Sequence, residues 1–236
     1  MGDDYIGSEL EVFKEAVVWK RYWSSMLVPY VGENVVEVGA GLGSNTAFLN
    51  DGTAKSWVCL EPDRKMAESI REAVATSTLP RNVVVDCGTL TSFTSTICPD
   101  TIVYIDVLEH ILDDRAEIEL AARHLMPGGH LIVLAPAHQF LFSPFDLAIG
   151  HFRRYSQSSL EALGCANLTR KRSFYLDSVG LAASLTNKLF LKASRPTSAQ
   201  VRLWDRVLVP LSMIFDKITA GRLGKTVVVV WSRQQE

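Results

Sequence analysis

A short segment in the second half of the chain concentrates polar side chains that can bind and deprotonate a substrate. Residues 146–156 read DLAIGHFRRYS and include Asp146, His151, Arg153, Arg154 and Tyr155. Histidine suits a general base near neutrality, and arginine binds carboxylate or phosphate groups bidentately. We therefore predict His151 as a catalytic base, kept neutral by the nearby arginines, and the other four residues as the acceptor-binding set. The alternative is a surface loop that salt bridges hold and that only caps the next helix.

A glycine-rich stretch predicts a cofactor loop. Residues 35–43 read VVEVGAGLG, and the candidate cofactor-binding residues are Glu37, Gly39, Ala40, Gly41 and Gly43. The spacing G-x-G-x-G differs from the G-x-G-x-x-G of dinucleotide folds, where the loop faces a pyrophosphate. A carboxylate here repels a pyrophosphate and suits a cation, so we predict S-adenosylmethionine, which carries an ammonium and a sulfonium. The alternatives are a tight turn beside a surface glutamate and a nicotinamide-dependent oxidoreductase.

Further candidate cofactor residues follow the next strand-like runs. Glu61 and Pro62 end one run, where an acid can accept both ribose hydroxyls, although an acid there also caps helices. Gly88, Thr89 and Leu90 follow another run, and a turn there can border an adenine ring. Asp106 and Val107 follow a further run and are expected to line the same crevice. We expect these turns to meet at one edge of a parallel sheet.

A metal site can also be assembled from this region, but we predict none. Asp106, Glu109, His110, Asp113 and Asp114 lie close together in the sequence. His110, Asp113 and Asp114 are better explained as the start of a helix, where acids cap the free N–H groups. His110 is the second candidate for a catalytic base, because it follows the end of a strand-like run.

Composition excludes several other classes of protein. The chain has 236 residues, 47% of them hydrophobic, and a formal net charge of -2, so we expect no nucleic-acid partner. Its four cysteines form no CxxC pair and are expected to be reduced thiols. No secretory leader and no run of 18 apolar residues is present, which predicts a cytoplasmic protein.

The elements that position these residues alternate between strand and helix. Short runs rich in valine and isoleucine, without polar alternation, predict buried parallel strands at 34–38, 56–60, 82–85, 101–106 and 130–134. Helical segments are predicted between them, at 45–49, 64–76 and 113–125. Residues 135–156 predict a long functional loop, followed by a helix at 158–163, a strand at 168–175, helices at 179–191 and 201–219, and a closing strand at 226–231. The fold class is therefore α/β with a doubly wound parallel sheet.

These motifs, in this order, resemble the class I S-adenosylmethionine-dependent methyltransferases. The resemblance covers residues 34–136 closely, and rests on VVEVGAGLG, CLEPD, CGTL, IDVLEHI and LMPGGHLIVLAP. It implies a Rossmann-like seven-stranded sheet whose last strand is antiparallel. Glu37, Gly39 and Gly41 would then meet the methionine part, Glu61 the ribose, and Thr89 and Leu90 the adenine, with Asp106 and Val107 lining the crevice below.

The segment around His151 resembles one branch of that family, which carries Gly-His-aromatic-Arg-Arg-Tyr. Its members resemble small-molecule or glycan methyltransferases, so we predict methyl transfer to an oxygen atom of such an acceptor. The branch has Gly-Phe after the next helix, where this chain has Gly164-Cys165. A second hypothesis is a non-catalytic scaffold that binds the cofactor and supports a partner subunit.

We predict one domain, 1–236, composed of a helical lid (1–33), a cofactor-binding half (34–135) and a substrate-facing half with the closing strand (136–236). Within the last part, residues 201–218 predict a helix with one apolar face that holds Leu203, Trp204, Val207, Leu208, Leu211, Ile214, Phe215 and Ile218. The face suits packing on the domain or a homodimer. It also suits peripheral contact with a membrane. Pro210, Asp205 and Asp216 oppose that contact.

Overall fold

Seven strands form the centre of the protein in a computed structural model, which describes residues 13–94, 98–186, 188 and 197–235. The strands are β1 (Asn34–Val38), β2 (Ser56–Leu60), β3 (Val83–Asp86), β4 (Thr101–Ile105), β5 (His130–Pro136), β6 (Leu168–Leu176) and β7 (Thr226–Arg233). The helices are α1 (Val17–Leu27), α2 (Thr46–Leu49), α3 (Arg64–Ala75), α4 (Asp114–His124), α5 (Pro144–Ala148), α6 (Gln157–Glu161), α7 (Ser178–Thr186), α8 (Ser198–Leu203) and α9 (Val209–Ile218). Each predicted strand is found within two residues of its expected bounds.

The strand order is β3-β2-β1-β4-β5-β7-β6, and β7 runs antiparallel to both of its neighbours. The predicted Rossmann-like fold with an antiparallel last strand is therefore confirmed. In register, Val38 of β1 pairs with Leu60 of β2 and with Tyr104 of β4. The carboxyl ends of these three strands consequently meet at the point where the crossovers diverge, which is where open α/β sheets bind ligands.

The closing strand is apolar because it is enclosed on both edges. Residues Val227–Val230 are fully buried, and Trp231 is almost so. Gly164 lies so close to Trp231 that a Cβ atom there would approach Nε1 of the indole to 2.7 Å. A glycine is thus required before Cys165, and β6 pairs with β7 along its whole length with one irregularity between Arg170 and Arg172.

The segment 135–156 is more regular than its sequence predicts. It contains a 3-10 turn (Gln139–Leu141) and helix α5, whose start is fixed by reciprocal hydrogen bonds between Ser143 and Asp146. The predicted helix at 179–191 is found as α7, and its last residues lie outside the described part of the chain. The predicted helix at 201–219 continues from α8 to α9 through a π-helical turn (Trp204–Leu208). Pro210 lies two residues after this turn, and it has no N–H for an ordinary helical bond.

Helix α1 is anchored by side chains far away in the sequence. No side chain of its own caps its first turn. Asp205 accepts hydrogen bonds from the N–H groups of Val18 (3.2 Å) and Trp19 (2.8 Å) instead, and Asp216 accepts one from the Tyr22 hydroxyl at 2.9 Å. The part of the predicted lid that the structure describes is therefore docked on the C-terminal helices, and residues 1–12 lie outside the description.

Candidate active site

The glycine loop adopts a backbone conformation that requires glycine. The φ angles of Gly39, Gly41 and Gly43 are +66°, +58° and +70°, in the left-handed region that side chains disfavour. A Cβ atom on Gly39 would lie 2.7 Å from the side chain of Val107. The loop after β1 is thus pressed against the residues that follow β4, and Ala40, within the loop, is buried.

Glu61 links the end of β2 to this loop. Its Oε2 atom accepts a hydrogen bond from the Gly41 N–H at 2.7 Å, and Oε1 accepts one from the Asp63 N–H at 2.9 Å. Burial raises the pKa of Glu61, and these two N–H groups oppose the shift. Each carboxylate oxygen retains a second lone pair that a ribose hydroxyl can use. The helix cap proper is Asp63, which accepts from Lys65 and Met66, so Glu61 is free of that role.

Glu37 lies under the loop and not on the surface. Only 2% of the residue is exposed, which excludes the alternative of a surface glutamate. Its Oε2 atom accepts hydrogen bonds from Thr46 Oγ1 at 2.7 Å and from Trp57 Nε1 at 2.9 Å. Burial raises its pKa to about 7, although these donors oppose the shift. Glu37 therefore supports the loop from below, and its contact with a cationic ligand stays a prediction.

The turn after β3 borders the same edge of the sheet. Thr89 is exposed and its N–H donates to Ser92 Oγ at 3.0 Å, while Gly88 is half-buried. Leu90 is expected to border the adenine ring. Its side chain instead packs inward and is fully buried in the core. Pro62 is exposed beside Glu61.

Asp106 directly follows β4 at the same edge of the sheet as the glycine loop. Its φ angle is +55°, unusual for a residue other than glycine, and the residue is exposed. The protein packed around it raises its pKa to about 6, against the opposing charges of His151, Lys225, Lys20 and Arg154, in that order. Lys20 of α1 is itself 5% exposed, and burial lowers its pKa to about 8. Neither Lys20 nor Lys225 is part of a motif in the sequence, and only the position of Lys20 on the predicted N-terminal helix could have indicated one of them.

Asp146, His151 and Arg154 come together as predicted. Asp146 is fully buried, and its Oδ1 atom lies 3.0 Å from His151 Nδ1 and 2.8 Å from Arg154 Nε. Its Oδ2 atom accepts from a second nitrogen of Arg154 at 3.0 Å and from Ser143 Oγ at 2.7 Å. Burial alone would raise the pKa of Asp146, but the hydrogen bonds from His151 and Arg154 hold it well below the ordinary value. An ionised Asp146 keeps the His151 proton on Nδ1 and leaves a lone pair on Nε2.

Glu109 and His110 complete this cluster. The N–H of Phe152 donates to the Glu109 carbonyl at 2.8 Å, which aligns the turn after β4 with the His151 segment. The Glu109 carboxylate is fully buried, with neither oxygen hydrogen-bonded, and Oε1 lies 3.7 Å from His151 Nε2. The rings of His110 and His151 meet edge to face, 4.5 Å between centroids. Burial raises the pKa of Glu109 well above its ordinary value. The pKa of His110 is lowered to about 4, first by burial and second by the neighbouring His151.

Two of the predicted acceptor-binding residues are directed elsewhere. Arg153 donates to the carbonyls of Ile111 (3.1 Å) and Leu112 (2.8 Å) and forms an ion pair with Asp114 at 2.6 Å. The hydroxyl of Tyr155, a buried residue, also donates to Asp114 at 2.8 Å. Both side chains therefore hold the segment against the start of α4, as the structural alternative predicted, and neither joins the cluster around His151.

The acids at the start of α4 serve the helix. Asp113 caps α4 by accepting from the Ala116 N–H at 3.0 Å, and Asp114 is occupied by Arg153 and Tyr155. Neither acid is part of the group of side chains that can reach a common cation, which consists of Glu109, His110 and His151 among the described residues.

The comparisons with known proteins agree with this geometry. A family model described as a methyltransferase domain matches residues 36–131, and no curated protein matches the sequence. A geranyl diphosphate methyltransferase solved with S-adenosylmethionine has a TM-score of 0.66 at 11% identity, covering 98% of this chain and 92% of its own. A protein from Galdieria sulphuraria described as a sarcosine dimethylglycine methyltransferase has a TM-score of 0.63 at 19% identity (93% and 87% covered). A coclaurine N-methyltransferase has a TM-score of 0.63 at 13% identity (92% and 72% covered).

At such low identities these structures demonstrate a shared fold only. The match to the family model is a match of sequence, and it includes the glycine loop and the strands around it. The residues that should hold the cofactor also fit, because the left-handed glycines and Glu61 lie at one end of the sheet beside Asp106. The chain therefore has the fold of the class I S-adenosylmethionine-dependent methyltransferases, and its residues 36–131 match a methyltransferase domain.

Proposed function

We propose that this enzyme methylates a hydroxyl oxygen of a small-molecule or glycan acceptor, and that His151 activates that oxygen. The observation that carries the proposal is the pair of Asp146 and His151, 3.0 Å apart. The N–H of Phe152 donates to the Glu109 carbonyl at 2.8 Å, so this pair lies against the turn that follows β4 and begins with Asp106. The pair combines a fixed imidazole with a lone pair on the side away from Asp146.

The cofactor-binding half prepares the reaction. S-adenosylmethionine, when bound, supplies a methyl group on a positively charged sulfur. The loop of Gly39, Gly41 and Gly43 brings backbone close to the ligand, and Glu61 offers lone pairs for the ribose. We assign Gly88 and Thr89 to the border of the adenine pocket, and Asp106 to the cleft between the cofactor and the acceptor.

In this reaction the protein has two tasks, which are to position the acceptor oxygen and to remove its proton. As the acceptor oxygen bonds to the methyl carbon, its proton passes to Nε2 of His151 and the carbon–sulfur bond breaks with both electrons remaining on sulfur. Asp146 stabilises the resulting imidazolium through Nδ1–H, and Arg154 keeps Asp146 ionised. A base in such a position contributes about 10²–10⁴-fold to the rate.

Charge around the cleft favours a polar acceptor. Lys20, Lys225 and Arg154 lower the pKa of Asp106 against the effect of burial, while Arg154 also pairs with Asp146 at 2.8 Å and Lys225 with Asp177 at 3.3 Å. Such a set of charges suits an acceptor with several hydroxyl or acidic groups, as a glycan has. The structural neighbours are named for chemically different acceptors. The fold therefore does not determine the acceptor, and we expect the side chains of the cleft to do so. The resemblance of residues 150–155 to a branch of small-molecule or glycan methyltransferases is compatible with the same class.

The test is methyl transfer by the purified chain alone. The chain is incubated with cofactor that carries an isotope-labelled methyl group and with a panel of free glycans, phenols, carboxylic acids and amines. We expect a labelled methyl ether and no labelled amine. Labelled amines or esters as the only products would contradict the oxygen assignment. A chain that binds the cofactor but methylates only when a partner protein is added would support the scaffold hypothesis.

We propose further that the C-terminal helices contact an anionic membrane surface. Among the predicted apolar residues, Trp204 and Leu208 pack inward, whereas an exposed apolar stripe remains, formed by Leu203, Val207, Leu211, Ile214, Phe215 and Ile218. Its exposed fractions run from 42% at Leu211 to 72% at Ile218. No described helix has the length and apolar character to cross a bilayer, so contact would be peripheral.

Charge decides between a membrane and a second copy. Asp205 and Asp216, which the sequence sets against membrane contact, are 4% and 5% exposed and turned toward α1. The exposed charges on and just after this helix pair are cationic, among them Arg206, Lys217 and Arg222. An apolar stripe flanked by cations complements anionic lipid headgroups and repels an identical copy.

Vesicle sedimentation tests this surface. We expect binding to phosphatidylcholine vesicles that contain phosphatidylserine, weaker binding to phosphatidylcholine alone, and loss of binding in Ile214→Glu. Val84→Glu, an equal change at a residue 59% exposed on the edge strand β3, serves as the control. Retention of binding by Ile214→Glu, or a dimer in light scattering that this substitution dissociates, would overturn the proposal.

A further inference from the structure

We infer that Glu109, His110 and His151 form a binding site for one divalent transition-metal ion, such as Zn²⁺ or Mn²⁺. Each residue offers one ligand atom, and the three atoms lie within 4.8 Å of one another. The site lies at the acceptor side of the cleft, where β4 ends and the His151 segment crosses it. It deepens the proposed function, because it names how His151 would activate an oxygen, but cation binding itself does not depend on the identity of the acceptor.

The first observation is the isolation of Glu109. Both carboxylate oxygens are inaccessible to solvent and neither has a hydrogen-bond partner. Every other fully buried acid of the site has donors, as Asp146 has from Ser143, His151 and Arg154. Burying an acid without partners is costly, and such groups are normally paired or coordinate a metal. The nearest polar atom of the cluster is His151 Nε2, 3.7 Å from Glu109 Oε1, too far for a hydrogen bond and suited to two ligands of one ion.

The second observation is the orientation of His151. Its Nδ1 atom is engaged with Asp146, so Nε2 is the atom that points toward Glu109. A histidine that binds a metal through one nitrogen commonly donates its other N–H to a carboxylate, which fixes the ring. Asp146 therefore has the position of such a supporting carboxylate, and Arg154 holds it in place through two nitrogen atoms.

The ligand set selects the class of ion. Two imidazoles and one carboxylate suit zinc, manganese or iron, whereas calcium and magnesium prefer sites made of oxygen atoms alone. The remaining coordination positions would face the cleft, because His110 is the exposed member of the group. An acceptor hydroxyl that binds there would lose its proton to water more easily, and the oxygen would then take the methyl carbon as the carbon–sulfur bond breaks. With the ion bound, Nε2 of His151 holds the ion and does not take the proton.

Metal titration of the full chain tests the site directly. The chain is stripped with a chelator, dialysed, and titrated with Mn²⁺ while free Mn²⁺ is followed by electron paramagnetic resonance. We expect one ion per chain. Glu109→Gln should weaken binding by at least about 100-fold, and Asp146→Asn by about 10–100-fold, because it loosens only the supporting shell. Asp113→Asn is the matched control, because it removes a nearby acid yet retains a side chain that caps α4.

Controls for folding, cofactor binding and turnover complete this test. Circular dichroism and S-adenosylmethionine affinity should be unchanged in Glu109→Gln, which separates loss of the ion from loss of the fold. Failure of the stripped chain to bind Mn²⁺ or Zn²⁺, or equal affinity in Glu109→Gln and Asp113→Asn, would overturn the inference. Full methyl transfer in the presence of chelator would also overturn the catalytic part and leave His151 as the base. A wild-type chain that does not bind S-adenosylmethionine would instead contradict the proposed function itself.

Discussion

Oδ1 of Asp146 lies 3.0 Å from Nδ1 of His151, and the same oxygen lies 2.8 Å from Nε of Arg154. The imidazole is thereby fixed with Nε2 toward Glu109, and the acid that fixes it is fully buried. This relationship decides which of the polar residues in 146–155 can take part in chemistry, and it sets most of the predictions below.

His151→Ala should lower turnover by about 10²–10⁴-fold, because the residue activates the acceptor oxygen in either mechanism. S-adenosylmethionine affinity, measured by titration calorimetry, should stay within a factor of two or so, since the glycine loop and Glu61 are untouched. Arg153→Ala is the comparison within the same segment. It should retain most of the turnover, because the Arg153 guanidinium contacts Asp114 and the Ile111 carbonyl at the start of α4 and does not join the His151 cluster. Full turnover in both His151→Ala and His110→Ala would mean that proximity alone drives the reaction.

Asp146→Ala should lower the free energy of unfolding by about 3–5 kcal/mol. The substitution leaves the largely buried Arg154 without its partner, and loss of one member of a buried pair is strongly destabilising. Urea denaturation provides the measurement. Glu68→Ala removes an exposed ion pair with Arg71 and should change the same quantity by less than about 1 kcal/mol. Equal effects of the two substitutions would contradict the buried role of Asp146.

Glu61→Ala should weaken S-adenosylmethionine binding more than it weakens folding. The substitution removes the acceptor of the Gly41 N–H and the predicted ribose contact together. Glu61→Gln keeps an oxygen for Gly41 and should therefore fold like the wild type and bind less tightly. Calorimetric titrations with S-adenosylmethionine and with NAD, beside urea denaturation, give both quantities. A chain that binds NAD and not S-adenosylmethionine would overturn the cofactor assignment.

Glu37 should make stability depend on pH between about 4.5 and 7. Burial raises its pKa in the folded chain from the ordinary 4.5 to about 7, so the folded state binds the proton more tightly than the unfolded state does. The resulting contribution is complete below pH 4.5 and is lost as pH rises through 7. Relative to Glu37→Gln, which does not titrate, the wild type should lose about 2–3 kcal/mol of unfolding free energy from pH 5 to pH 8. A constant difference between the two proteins, measured by urea denaturation, would show that Glu37 does not titrate in this range.

The sequence by itself determined the architecture and the cofactor loop. Runs such as VVVV in β7 and TIVYI in β4 are too apolar for anything but enclosed strands, and both are fully buried. The glycines at 39, 41 and 43 signal a turn that only glycine tolerates, and their φ angles are all positive. Such features are local, because strand propensity and glycine conformation depend on the residue and its near neighbours.

The tertiary structure alone decided the direction of each side chain in the site. Arg153 and Arg154 are adjacent in sequence, yet one binds Asp114 and the other Asp146. Leu90 turned into the core, Asp205 became the cap of a helix 186 residues away in the sequence, and Glu109 became a buried acid without a donor. These outcomes depend on which distant elements pack together, and a loop without a period carries no local pattern from which that packing follows.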